Sequence, residues 1–149
     1  MPNRAVLGVV VAVALGAPAV ALADGFPPHS NIYMQHRYPK KPTDNVIIAF
    51  HRNTNTALIQ VNNFCLGSTS YSGSPKYPNP AVVNSTRVRQ GKLSYRGVAR
   101  IYTGTHTSRK VRMTVSAVIK PAQSTGVVSF PGTKCGTIRF VADLVKRTP

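Results

Sequence analysis

No glutamate occurs anywhere in this chain of 149 residues, and its acids are three aspartates, Asp24, Asp44 and Asp143. That scarcity closes off one chemistry at once. Two-carboxylate glycoside hydrolysis needs a pair of acids flanking the scissile bond. Asp44 falls in a proline-rich stretch and Asp143 in the last strand-like run, and there is no glutamate to supply a partner for either. No GxSxG elbow is present, which removes the usual sequence sign of a serine nucleophile beside an oriented base. No CxxC spacing is present, and no two of His29, His36, His51 and His106 stand at i, i+2 or i, i+4, so the common metal-ligand spacings are not met. These absences lead to the expectation of a protein that is not an enzyme and that carries no cofactor and no metal.

What the chain has in excess is positive charge. Nineteen lysines and arginines face the three aspartates, a formal net charge of +16. So few carboxylates cannot neutralise so many cations, and a positive potential must cover much of the surface. Such a surface attracts polyanions: an envelope polysaccharide, nucleic acid or an anionic lipid surface. Simple solubility of an exported product is the competing reading.

The first 23 residues read as a signal peptide. Arg4 supplies the positive start, Ala5 to Val20 is an apolar run rich in Val and Ala, and Ala21-Leu22-Ala23 places small residues where a signal peptidase reads. An uncleaved anchor is the alternative, but Pro18 and the shortness of the run argue against a spanning helix. Cleavage after Ala23 removes Arg4 alone among the charged side chains, leaving 18 cations against three acids, a net of +15. The expected location is therefore secreted, outside the cell. The remaining residues, 24–149, are enough for one domain that buries roughly two-thirds of its unfolded surface.

An oxidising compartment gives the two cysteines, Cys65 and Cys135, a meaning. An even count there favours a disulfide. Bridged within one chain they would close a loop of about 70 residues, worth roughly 4 kcal/mol at most by chain entropy. Two free buried thiols or a link between chains remain open alternatives.

Residues 24–45 hold Pro27, Pro28, Pro39 and Pro42 and show no clear period, so they read as a proline-rich irregular lead-in. From residue 46 to 149 the period is two, the mark of strands. Val46 to Phe50 and Ala57 to Phe64 are short apolar runs around a turn cluster at 52–56, and Gly67 to Pro80 reads as a long loop. Ala81 to Arg89 is mixed. Leu93, Tyr95, Gly97, Ala99 and Ile101 then share one face, and Val111, Met113, Val115, Ala117 and Ile119 repeat it after a hairpin at 103–109. Thr125 to Phe130 and Gly136 to Val145 complete the pattern. Beyond the leader no helical stretch of ten residues survives. Seven or eight short strands with recurring turn signals are the pattern of an antiparallel sandwich or barrel, and the expectation is an all-β domain over 46–149, an antiparallel β-sandwich of jelly-roll-like form.

The runs GKLSYRGVAR, KVRMTVSAVI, STGVVSF and KCGTIRFVAD from Gly91 onward resemble a family of uncharacterised secreted actinobacterial β-sandwich proteins. Those proteins carry a GKFSYSG-type hairpin, a following strand, a short A.GTV-type strand and a late cysteine before an aromatic-containing strand. The resemblance spans roughly residues 46–145. It implies a β-sandwich of jelly-roll type and no catalytic residues. The chain departs from it at Val115-Ser116-Ala117, where the family often has glycine, so the reason to expect a bulge there is gone.

The candidate site is cationic. Arg96 and Arg100 lie on the polar face of one strand, and Arg112 and Lys120 on that of the next. A hairpin pivoting near His106 sets Arg100 opposite Arg112. Like charges across a ladder are destabilising, so such a face is either well solvated or meant to meet an anion. Arg87 and Arg89 would extend the patch, together with Lys92, Arg109, Lys110 and Arg139, and Tyr71, Tyr77 or Tyr102 could stack on bases or sugar rings. The expected function is a secreted, non-catalytic basic module that binds anionic polymers. Two alternatives stand beside it. A small secreted hydrolase would need His51, His106 and a lysine in one cleft for acid-base chemistry. A structural or protein-interaction module would show an exposed apolar patch.

Overall fold

A computed structural model describes residues 25–37, 39–70, 73–104 and 106–149. The proposed leader, residues 1–23, lies outside the described residues, as do Asp24 and Tyr71. The described chain is all-β. Its eight strands are β1 (Ser30–Met34), β2 (Asn45–His51), β3 (Thr56–Ser70), β4 (Lys76–Arg89), β5 (Lys92–Tyr102), β6 (Ser108–Ile119), β7 (Gln123–Ser129) and β8 (Thr137–Arg147).

Each strand pairs antiparallel with the next, and β8 returns to pair with β1, so one sheet closes into a barrel. The antiparallel all-β class expected from the sequence is the class observed. The expected sandwich takes the form of this single sheet, with strands neighbouring in chain order and no jelly-roll crossover among them. Closure leaves no continuous free edge, which is the strand arrangement's main hazard in solution.

Interior positions follow the period of two. Leu93, Ala99 and Ile101 of β5, Val111, Met113, Val115 and Ala117 of β6, and Phe140 and Ala142 of β8 meet Ile48, Ile59, Val61 and Ala81 in one buried cluster. Burying each large side chain there contributes roughly 1.5–3 kcal/mol. The first three strands are buried on both faces. Ile32, Met34, Ile47, Ala49 and Leu58 point away from the interior and form a second cluster with Phe26.

Two segments differ from the sequence reading. Residues 24–45, expected to be irregular, supply β1, which holds the barrel shut between β2 and β8. Ser30 to Met34 contains no proline, and its paired burial on two faces leaves no alternation to read. The long loop expected over 67–80 shrinks to 71–75, because Ser68, Thr69 and Ser70 pair with Pro78, Tyr77 and Lys76. Before that extension β3 slips register between Asn63 and Ser68, where Gly67 adopts φ 103°.

The slip exposes Cys65, and its partner waits in the β7–β8 loop. Cys65 and Cys135 form the one disulfide, with Cα atoms 5.5 Å apart. At the opposite end, β4 and β5 are joined by the two residues Gln90 and Gly91, both with positive φ (50° and 71°). That conformation gives the tight hairpin turn whose twist matches its strands. Ile119 donates its N–H to the Gly91 carbonyl at 2.7 Å, fastening the end of β6 beside the turn.

Candidate anion-binding face

Strand order decides where the cations go. β1, β2, β3 and β7 contain no lysine or arginine, whereas β4, β5 and β6 carry Lys76, Arg87, Arg89, Lys92, Arg96, Arg100, Arg109, Lys110 and Arg112. The exposed positions of β5 and β6 alternate with core residues, so the same rhythm that buries Leu93 and Met113 projects Arg96, Arg100 and Arg112 outward.

The register corrects one expected pairing. Arg100 lies opposite Lys110, and Arg112 lies opposite Val98. The hairpin turns one residue earlier than His106, which keeps every side chain on its expected face but changes its partner. Like charges still meet across the ladder. Arg112 is diagonal to both Arg100 and Arg96, roughly 7–8 Å away on each side. Arg96, Arg100, Lys110 and Arg112 thus surround Val98, which is 53% exposed. Lys110 entered the sequence reading only as an extension of the patch, yet the register puts it at the centre.

Most of the other predicted residues fall along the same wall, whereas Arg139 lies apart from it on β8. Arg89 pairs with Lys92 at the hairpin turn, a second like-charge pair. Lys120 follows β6 at that end, and its carbonyl accepts the Tyr33 hydroxyl at 2.8 Å. Arg87, paired with Thr56 of β3, stands exposed on β4 between the two groups. The basic stripe therefore runs from Arg89, Lys92 and Lys120 at one end to Arg100 and Lys110 toward the other. Arg109 turns aside and donates to the Leu66 carbonyl at 2.9 Å. The described carboxylates do not neutralise the stripe, since Asp44 accepts from the Phe64 N–H and Asp143 from Gln123.

The wall is also parted. β4 and β5 pair at Val82–Arg100 and again at Val88–Leu93, and the ladder is broken between. An open groove of about 420 Å³ lies there, lined by Asn84, Ser85, Tyr95, Val98, Arg100 and Lys110 among others. Tyr95 explains how the parting is tolerated. Its hydroxyl donates to the Val98 carbonyl at 2.7 Å, taking a backbone acceptor beside the broken ladder that would otherwise lack a partner. Gly97 makes room, because a Cβ there would meet the Tyr95 hydroxyl at 2.7 Å. Sequence reasoning missed this feature. Its signals were the unalternating polar run Asn84-Ser85-Thr86-Arg87 and a glycine in the middle of a strand, which often marks a close approach.

Arg100 is held in place by Ser108, to whose Oγ it donates at 2.9 Å. Tyr102 sits next to it, half-buried; burial pushes its hydroxyl above the ordinary tyrosine range and the Arg100 charge partly offsets this. Tyr77 is half-buried as well, so the described aromatic rings on β4–β6 offer no fully exposed stacking platform.

The histidines divide between the two ends. His51 closes β2 at the end that holds the Gln90–Gly91 turn, and His106 belongs to the β5–β6 loop at the opposite end. The cleft required for paired acid-base chemistry at His51 and His106 is not formed. His51 instead lies edge-on to His29, ring centroids 6.1 Å apart, and takes the Thr54 N–H on Nδ1 at 3.3 Å. Among the described residues no group of three or more side chains could hold a metal ion. Comparison of the chain with protein-family models, with curated proteins and with solved structures returns no match.

Proposed function

We propose that this chain is a secreted, non-catalytic barrel that binds anionic polymers through the outer wall of β4–β6. The observation that carries this reading is the cluster of Arg96, Arg100, Lys110 and Arg112 on adjacent strands, beside strands that hold no cation at all. Secretion is supported by the leader pattern of residues 1–23 and by the disulfide, a bond at home in oxidising compartments. The reading is one of electrostatic recognition without base specificity, since none of the described rings on β4–β6 is fully exposed. Among the described residues the large exposed hydrophobics, Phe64, Val98, Val118 and Val141, lie on four different strands, so they offer a protein-docking module no contiguous apolar strand face.

The test is affinity for a sulfated polysaccharide and for DNA as salt is varied. Each neutralised anion adds roughly 0.7–0.9 to the slope of log affinity against log salt. Replacing Arg96, Arg100, Lys110 and Arg112 together by glutamine should flatten that slope by about 3 units. Replacing Arg139, Lys146 and Arg147 on β8 should change it by less than half as much per residue. Equal losses from both sets would mean that net charge, not the wall, does the binding.

A further inference from the structure

We infer that the groove at the β4–β5 parting is the seat for a single acidic sugar unit of the polymer, with its acid group on Arg100 and Lys110. This rests on the polyanion reading above and gives it a specific subsite.

The first support is shape. A flat basic sheet can hold a polymer only by its charges. The broken ladder between Val82 and Val88 instead opens a recess of about 420 Å³, within the range of roughly 300–1,000 Å³ typical of small-ligand sites. The second is the arrangement of chemistry around it. Two cations stand on one bank, Arg100 opposite Lys110. Asn84 and Ser85, both exposed, stand on the other bank on β4. Between them Val98 and the Tyr95 ring offer apolar surface. A pyranose ring presents the matching set: an acid at one edge, hydroxyls along the rest, and C–H groups on its face.

The third support is electrostatic. Like charges facing each other across a ladder repel, and nothing acidic among the described side chains stands between Arg100 and Lys110 to relieve them. Arg100 is already oriented by Ser108, so less freedom is lost when it takes an anion, and its remaining donors can engage a carboxylate or sulfate in the forked geometry guanidinium favours. A nucleobase fits less well. The Tyr95 hydroxyl is engaged with the Val98 carbonyl, which holds the ring half-buried, and base binding by stacking needs an open aromatic face.

The experiment is a set of NMR titrations of the chain with four probes: a sulfated or uronic-acid disaccharide, its neutral counterpart, inorganic sulfate and a dinucleotide. The acidic disaccharide should move the backbone amides of Ser85, Val98 and Arg100 and bind at least tenfold more tightly than the neutral one. Arg100→Gln with Lys110→Gln should weaken it about tenfold or more. Asn84→Ala with Ser85→Ala should weaken the disaccharide several-fold and leave inorganic sulfate unchanged, which separates recognition of the sugar from recognition of its charge. Arg139→Gln should leave all four probes unaffected. Shifts confined to β8, equal affinity for sulfate and the acidic disaccharide, or tighter binding of the dinucleotide would each overturn the assignment. If the Arg100 and Lys110 variants lose the disaccharide but the chain keeps its salt-dependent grip on long polymer, both readings stand. If long polymer still binds through the wall and the disaccharide does not bind the groove, the subsite alone falls.

Discussion

Removing the Cys65–Cys135 bond should cost this barrel a large share of its stability while leaving the basic wall in working order. The bond joins residues 70 apart in sequence. A loop of that length, released in the unfolded chain, contributes up to about 4 kcal/mol through chain entropy. Little packing is lost with the sulfur atoms, because Cys65 is exposed and Cys135 only half-buried. What goes is the tie between the slipped stretch of β3 and the β7–β8 loop. Locally these are held by short contacts: the Cys65 N–H to Asn63 Oδ1 at 2.7 Å and the Cys135 N–H to Thr133 Oγ1 at 3.2 Å. Domains of this size have total stabilities of about 5–15 kcal/mol, so the variant with both cysteines changed to serine should lose about a quarter or more of the total. Its melting temperature should drop by roughly 10–20 °C. The assay is urea unfolding of the oxidised chain, the reduced chain and the double-serine variant. The midpoint should fall in both of the latter, and the m-value should rise, because the unlinked chain exposes more surface when unfolded. Polymer affinity measured well below the melting point should change by less than about twofold, since β5 and β6 hold the site by their own ladder; the sulfur atoms add nothing to it. A variant within about 1 kcal/mol of the parent at an unchanged m-value would refute the loop-closure argument for this fold.

Three further substitutions probe the barrel itself. Gly126→Ala should destabilise by about 1–3 kcal/mol, because a Cβ at Gly126 would meet the Ser116 carbonyl and the Ala117 Cα, the latter at 2.8 Å; a urea midpoint unchanged within error would show that β6 and β7 do not approach so closely. Ser124 is buried with its Oγ lacking a hydrogen-bond partner among the described residues, so Ser124→Ala should be neutral or stabilise by up to about 1 kcal/mol, and a clear loss would reveal a partner for that hydroxyl. Tyr33 is held above the ordinary tyrosine pKa of 10.0, chiefly by burial, with Asn31 and Arg147 acting in the other direction. A raised pKa in the folded state means that stability is complete below the unfolded value and is lost as pH climbs through the folded one. Unfolding midpoints should therefore fall above about pH 10 more steeply in the parent than in Tyr33→Phe; parallel pH curves for the two would remove Tyr33 as the cause. The phenylalanine variant also gives up the bond to the Lys120 carbonyl.

The sequence was most readable where one face of a strand is dry and the other wet. β5, β6 and β8 alternate residue by residue, so their inward sets were visible before any coordinates. It was least readable in β1 to β3, where Ile32 to Met34, Val46 to Ala49 and Ala57 to Asn63 are buried on both faces and no rhythm survives. Barrel closure had no local signal at all, because it depends on β1 finding β8 across the whole length of the chain. The stretch after Cys65 misled by composition: Ser, Gly, Pro and Tyr suggest a loop, but the ladder from Ser68 to Ser70 needs only backbone groups. The cationic side chains of β5 and β6 were placed on the right face, and their partners were missed by one step of the hairpin. Opposite neighbours depend on where a turn pivots, whereas faces depend only on parity.

That distinction bears on what the charge is for. Solubility alone asks only that cations be numerous and exposed, and even spacing around the barrel would meet that demand with the least repulsion. Here they are crowded. Directly opposite residues on a ladder lie about 5 Å apart and diagonal ones about 7–8 Å, inside the Debye length of roughly 8 Å at physiological salt, so Arg96, Arg100, Lys110 and Arg112 are not screened from one another. Aspartates at Ser94 or Thr114, both on this outer wall, would relieve the repulsion at no cost to the core, and the chain has none there. An uncompensated cluster beside a parting in the ladder raises the energy of the protein, and under the polyanion reading proposed above a bound anion would lower it again. The same repulsion predicts that the Arg100→Gln variant is at least as stable as the parent in low salt, even as it loses affinity.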